Sequence, residues 1–157
     1  MNSSKPALFG HYESILPFEM EHCPESFFFS FIATMCEDVS MRISEQGEED
    51  YDSLSDELII NFAALAEKFY RDNESLIAEA EEEGYSEDRL ASWLWLQLSG
   101  AGCGFFDESN VPSLEALDKY CEEAYPNWDG DNPPYVGDDG VLYAFGIMTR
   151  QVEMLDK

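Results

Sequence analysis

Basic residues are scarce in this sequence. Eight Lys and Arg stand against 34 Asp and Glu in 157 residues, a formal net charge of −26. Phosphate contacts are made by Lys and Arg, so this shortage excludes direct binding to nucleic acid, and by the same logic to anionic membranes. Histidine is scarce too: His11 and His22 are the only two. The four cysteines, Cys23, Cys36, Cys103 and Cys121, form no CxxC pair, which removes the usual spacing of a zinc site and reads as a reduced, cytoplasmic protein. Long apolar runs are missing as well. FFFSFIATM is too short to span a bilayer and lies between acids, so neither a membrane span nor a leader is expected.

Aromatics, by contrast, are plentiful: 11 Phe, 8 Tyr and 3 Trp. A disordered acidic tail lacks them. The composition therefore describes a folded interior inside an acidic coat, with one domain over 1–157. Solubility needs a net charge of only about 2–8 in a small domain. The excess repels itself, so it calls for a reason. It is not a tail: residues 1–50 hold ten acids, 51–100 twelve and 101–157 twelve.

Residues 1–24 read as irregular, punctuated by Pro6, Gly10, Pro17 and Pro24. After Pro24, Phe28, Phe31, Met35 and Val39 recur at helical spacing, widened by Phe27 and Ile32, and Gly47 ends the run. EEDYDSLSDE reads as an acidic loop. Ser55 is a good N-cap, with Asp56 and Glu57 suited to the positive end of the helix dipole. A helix over 56–72 follows, with Leu58, Phe62, Leu65 and Phe69 inward. A third is expected over about 74–83, and Ser86 caps a short turn. Leu94, Leu96 and Leu98 alternate with Trp95 and Gln97, a strand pattern. Gly100, Gly102 and Gly104 make a turn, and Phe105 and Phe106 re-enter the core. Ser113 caps a helix over 114–125. NWDGDNPP is a loop, and YVGDDGVLYAFGIM a hairpin turning at Gly137–Gly140. The expected architecture is α+β: about four helices packed on one face of a small antiparallel sheet.

Two segments carry a resemblance. LWLQLSGAGCGFFDE, from Leu94 through Gly100, Gly102, Gly104, Phe105, Phe106 and Asp107, and later Tyr135 to Gly140 with Tyr143, resemble a group of small acidic tailed-phage proteins of uncharacterised role. Their shared pattern is a GxGxGF-aromatic-D turn and a YVGDDG hairpin. Many of them carry His between the first two glycines, where this chain has Ala101. The resemblance covers about the last 65 residues; it implies a phage or prophage origin and supplies no activity. PALFG, CEDV and WLQLS before a glycine turn are similar, with different spacings, to stretches of the KlcA/ArdB-type antirestriction proteins, and no residue roles come with that likeness.

Candidate chemistry is thin. GAGCG lacks the Lys and helix start of a phosphate loop, since Phe105, Phe106 and Asp107 follow it. Asp129, Asp131, Asn132, Asp138 and Asp139 miss the calcium-loop spacing and read as turns. His22 and Cys23 are adjacent, but an acidic field raises a thiolate pKa. No metal, no cofactor and no enzymatic activity are expected.

The charge itself remains. Salt adaptation fits poorly with many bulky aromatics and with Glu outnumbering Asp 21 to 13. Duplex DNA shows about one negative charge per 1.7 Å of axis, and helical acids three or four apart sit about 5–6 Å from one another. Glu79, Glu82 and Glu83 have that relation, as do Glu45, Glu48 and Glu49 if the first helix extends. The expected partner surface is Glu48, Glu49, Asp50, Asp52, Asp56, Glu57, Glu79, Glu82, Glu83, Glu87 and Asp88. The expectation is a phage-type anti-defence inhibitor in the host cytoplasm, monomer or homodimer. It mimics DNA and blocks the basic groove of a host protein that binds DNA or RNA, such as a restriction enzyme, a CRISPR effector or another nuclease. Two alternatives stand beside it: an inhibitor or adaptor binding through an apolar patch around Trp93, Trp95, Phe105 and Phe106, and a small ligand-binding or enzymatic domain using the Gly-rich turn.

Overall fold

The computed structural model describes residues 12–47, 50–99, 104–105, 110–125 and 134–155. A 3-10 turn at Tyr12–Ser14 precedes the first long helix, α1 (Glu25–Glu45). Its apolar stripe is buried as the spacing predicts: Phe27, Phe28, Phe31, Ile32, Met35, Cys36, Val39 and Ile43 face inward. The helix stops at Glu45, and Gly47 takes a positive φ of 74°, a conformation glycine adopts without strain. Helix α1 therefore does not extend beyond Glu45, and Glu48 and Glu49 lie outside the described residues.

A short strand, β1 (Ser53–Leu54), leads into α2 (Asp56–Asp72). The Ser55 hydroxyl accepts the Leu58 N–H at 3.1 Å, the expected cap. Leu58, Phe62, Leu65 and Phe69 are all buried. Asn73 ends the helix, and its side-chain amide donates to the Phe69 carbonyl at 2.8 Å. Then α3 (Glu74–Glu82) runs to Gly84, where φ is 102°.

The main correction falls on the next segment. Residues 94–98 are not a strand; they finish α4 (Glu87–Leu98). Ser86 caps this whole helix by accepting the Arg89 N–H at 3.2 Å, with Glu87 and Asp88 in the first turn. The buried set is Leu90, Ala91, Leu94, Trp95 and Leu98, which is helical spacing. The Leu alternation that mimics a strand occupies only the last turn and a half, where α4 is apolar on more than one side.

Helix α5 (Pro112–Ala124) also starts differently. Val111 is the N-cap, Pro112 sits at the first position and Ser113 is inside and buried. Pro has no N–H to leave unpaired there, so the helix starts two residues ahead of the expected position. The chain closes with β2 (Tyr135–Val136), β3 (Val141–Tyr143), a 3-10 helix at Gly146–Arg150 and α6 (Gln151–Leu155).

The sheet has order β1-β3-β2. β2 and β3 form the expected antiparallel hairpin, but β1 lies parallel to β3, pairing Ser53 with Val141 and Leu54 with Leu142. It is a mixed sheet rather than an antiparallel one, because part of the acidic loop became a strand. There are six α-helices among the described residues rather than about four. They build the core mainly against one another, with the small sheet at the N-terminal end of α2. At the centre, the Trp95 ring meets Phe62 at 5.8 Å and Phe31 at 6.4 Å. Phe105 stacks on Phe69 at 5.9 Å. The Trp95 indole N–H donates to Asp38 at 3.0 Å, and Arg42 bridges Asp38 and the Ser99 carbonyl. A buried indole thus keeps a partner, as its N–H requires. Among the described residues, no helix is long and apolar enough to cross a membrane.

Candidate functional site

The candidate acids separate into two groups at opposite ends of α2. Asp56 and Glu57 open that helix, and Asp50 and Asp52 precede it. Glu79, Glu82, Glu83, Glu87 and Asp88 follow its far end, on α3, the turn after it and α4. A 17-residue helix spans about 24 Å at 1.5 Å per residue. Glu48 and Glu49 lie outside the described residues.

In the far group, Glu79 and Glu82 lie on α3 and Glu83 caps its C-terminus; all three are exposed. Pairs about 6 Å apart in water repel by about 0.7 kcal/mol before salt screening, a cost the core carries easily. The neighbours differ. Glu83 accepts the buried Ser113 hydroxyl at 2.6 Å. Glu87 accepts Ser26 at 2.6 Å and Tyr70 at 3.2 Å, and Asp88 accepts Ser30 at 2.8 Å. Glu87 and Asp88 therefore sit in the first turn of α4, where the helix dipole favours acids, and tie it to α1, while Glu83 ties α3 to α5.

In the near group, Asp50 accepts the Ser40 hydroxyl at 3.1 Å. Asp52 lies against the hairpin turn: its N–H donates to the Gly140 carbonyl at 2.8 Å. A Cβ placed on Gly140, at φ 79°, would come within 2.9 Å of the Asp52 carboxylate. The fold thus adds Asp138 and Asp139, read as turn residues in the sequence, to this acidic end.

The bases deepen the imbalance. Lys68 pairs with Asp72 at 2.8 Å and donates to the Tyr120 hydroxyl. Arg71 binds Asp72 and the Leu155 carbonyl at the end of α6. Arg42 is held at Asp38 and Ser99. Arg89 lies over the rings of Trp93 and Tyr85, 5.0 and 5.5 Å from their centroids. Four of the eight bases are thus engaged in contacts within the fold.

One carboxylate behaves differently. Glu67 faces inward from α2 and is 3 % exposed. It accepts the backbone N–H groups of His22 and Cys23 at 3.0 and 2.9 Å, and meets the His22 ring at 2.7 Å. Burial pushes its pKa up, but these donors outweigh that and hold it below the ordinary value. It clamps the N-terminal segment onto α2. The signal for it was present: a lone acid inside the apolar run AALAEKF.

The same geometry argues against a reactive thiol. Cys23 is buried, and burial together with the charge of Glu67 pushes its pKa well up, so it is a thiol at neutral pH. Burial likewise pushes up the thiol of Cys121. A cavity of about 420 Å³ beside Cys23 is walled by Tyr12, Phe18 and Met20 among others. His11, most of GAGCG with Cys103, and Asp129, Asp131 and Asn132 lie outside the described residues. Gly104 is described: a Cβ there would meet Gln97 Cβ at 2.7 Å. The Gln97 side chain accepts the Phe105 N–H at 3.0 Å, so this end of the turn is closed by packing. Among the described residues, no group of three or more His, Cys, Asp or Glu is placed to hold a metal ion.

Of the aromatic candidates, Phe106 lies outside the described residues and the other three pack in or against the core. Trp95 and Phe105 are fully buried and Trp93 is partly covered, its ring edge-on to Phe105 at 6.2 Å. Among the described residues the exposed rings are elsewhere, at Tyr135 and Phe145, 50 % and 48 % exposed. The clue to them was the alternation of Leu142 and Ala144, both buried, with Tyr143 and Phe145.

No family model, no curated protein and no solved structure matches this chain.

Proposed function

We propose that the protein is a non-enzymatic, phage-type inhibitor that presents carboxylates in place of nucleic-acid phosphates to a basic host protein. The partner class is an enzyme that grips DNA or RNA in a cationic groove, such as a restriction enzyme, a CRISPR effector or another defence nuclease, in the host cytoplasm. The observation that carries the reading is the pairing of two facts. Exposed carboxylates gather at both ends of a rigid helix, and the nearby bases are engaged in internal contacts. A partner groove would release counterions as it closes on such a surface, with steering from a distance. The small core and surface bonds of Glu83, Glu87 and Asp88 fix those carboxylates in place, which reduces the ordering cost of binding.

The test is capture from a bacterial lysate on immobilised protein at low salt, followed by elution with rising salt. Nucleic-acid-binding enzymes released in the salt step support the reading. Capture only of proteins without a cationic groove, or partners that stay bound at high salt, sinks it.

A further inference from the structure

The hairpin at the near end of α2 carries a built aromatic face. Tyr135 and Tyr143 are cross-strand partners, and their rings stack at 5.5 Å with planes 26° apart. Phe145 stands edge-on to Tyr135 at 6.3 Å. On the strand's other side, Leu142 is fully buried and anchors the hairpin to the core. Gly137 permits the arrangement, since a Cβ there would come within 2.8 Å of the Tyr143 ring. The Tyr143 hydroxyl donates to Asp139 at 2.5 Å, which fixes the ring. The large hydrophobic side chains left exposed among the described residues are Met41, Tyr135 and Phe145. Two of the three meet here; Asp139 binds the Tyr143 hydroxyl, and Asp52 and Asp138 lie at the same turn. An apolar partner would strip water from those carboxylates without pairing them, which is costly. A planar cation satisfies both surfaces.

We infer that the Tyr135–Tyr143–Phe145 face, with Asp52, Asp138 and Asp139 at its turn, docks an arginine side chain of the basic partner. This rests on the proposed function and names where its selectivity lies. A guanidinium stacks on an aromatic ring while its fork pairs with a carboxylate. An ammonium is a compact, strongly hydrated charge that does the second but stacks less well. Tyr and Arg also dominate the few residues that carry most interface energy. The acidic row on α3 attracts any cation; the hairpin selects among them.

The experiment uses two labelled octapeptides, one of arginines and one of lysines, titrated by fluorescence anisotropy at low salt against the full chain. The Tyr135→Ala/Phe145→Ala double variant is titrated alongside. The expected result is a preference of about fivefold for the arginine peptide, falling to near unity in the variant while lysine-peptide binding is kept. Equal affinity of the wild-type chain for both peptides, a comparison that needs no variant, overturns the inference and leaves the electrostatic reading standing. A preference that survives the double substitution also overturns it. Binding of neither peptide overturns both.

Discussion

The two ends of α2 are both acidic and are built differently. At the far end, the acids of α3 and α4 lie on helices. Three of them, Glu83, Glu87 and Asp88, are pinned by Ser113, Ser26, Tyr70 and Ser30. The rings nearby, Tyr85 and Trp93, lie under Arg89. At the near end, acids crowd a hairpin turn beside rings that no Lys or Arg covers among the described residues. A carboxylate row on a helix is spaced by helical geometry and attracts without choosing. Carboxylates next to flat rings can choose. The difference shows that net charge alone is a poor description of this surface.

Both ends depend on the core that holds them about 24 Å apart. Phe62→Ala removes the ring between Phe31 and Trp95 and is expected to cost about 3–5 kcal/mol, blurring the two ends together; urea unfolding measures it. Glu67→Ala leaves the buried N–H groups of His22 and Cys23 without their acceptor and is expected to cost about 2–3 kcal/mol by the same measurement. Its pH dependence is specific. The Glu67 pKa is lowered in the fold, so its contribution is present above the ordinary Glu value and fades as pH falls through the lower folded value. The His22 pKa is raised, chiefly by its hydrogen bond to Glu67, so its contribution is full below the ordinary His value and fades as pH rises through the raised one. The stability difference between wild type and Glu67→Ala is therefore expected to be greatest between about pH 4.5 and 6.5.

Neutralising one end sharpens the contrast. Glu79→Gln/Glu82→Gln/Glu83→Gln is expected to weaken binding to a cationic peptide roughly tenfold at low salt, with a shallower salt slope, and to leave the arginine preference untouched. Ser86→Ala removes the α4 cap and is expected to cost about 1 kcal/mol, read from the urea midpoint. The Ser55→Ala change at the near end is expected to cost about as much. If the two caps differ widely, the two ends are not equally well founded.

The helices that were legible in the sequence are those whose cap and stripe fall in one window: Ser55 with Leu58, Phe62, Leu65 and Phe69 is the clearest. Helix α4 was misread because its cap, Ser86, stands well ahead of the Trp- and Leu-rich stretch, and a short window there sees only alternation. Strand β1 was illegible because two residues carry no period; its pairing with β3 is a tertiary fact. The same holds for the site. Glu79, Glu82 and Glu83 were singled out as candidates by their helical spacing alone. The partnership of Asp52 with the hairpin needed the parallel pairing of β1 with β3, and the clamp at Glu67 needed the N-terminal segment to fold back across 44 residues.

The central claim is that these carboxylates stand in for phosphates. Its most direct measurement is displacement: a restriction nuclease bound to labelled duplex DNA at low salt, titrated with the wild-type chain and with the triple Gln variant. The wild-type chain is expected to release the DNA at micromolar concentration, and the variant to need roughly ten times more. Full retention of DNA by a panel of such groove-binding nucleases, at any concentration of the wild-type chain, contradicts it.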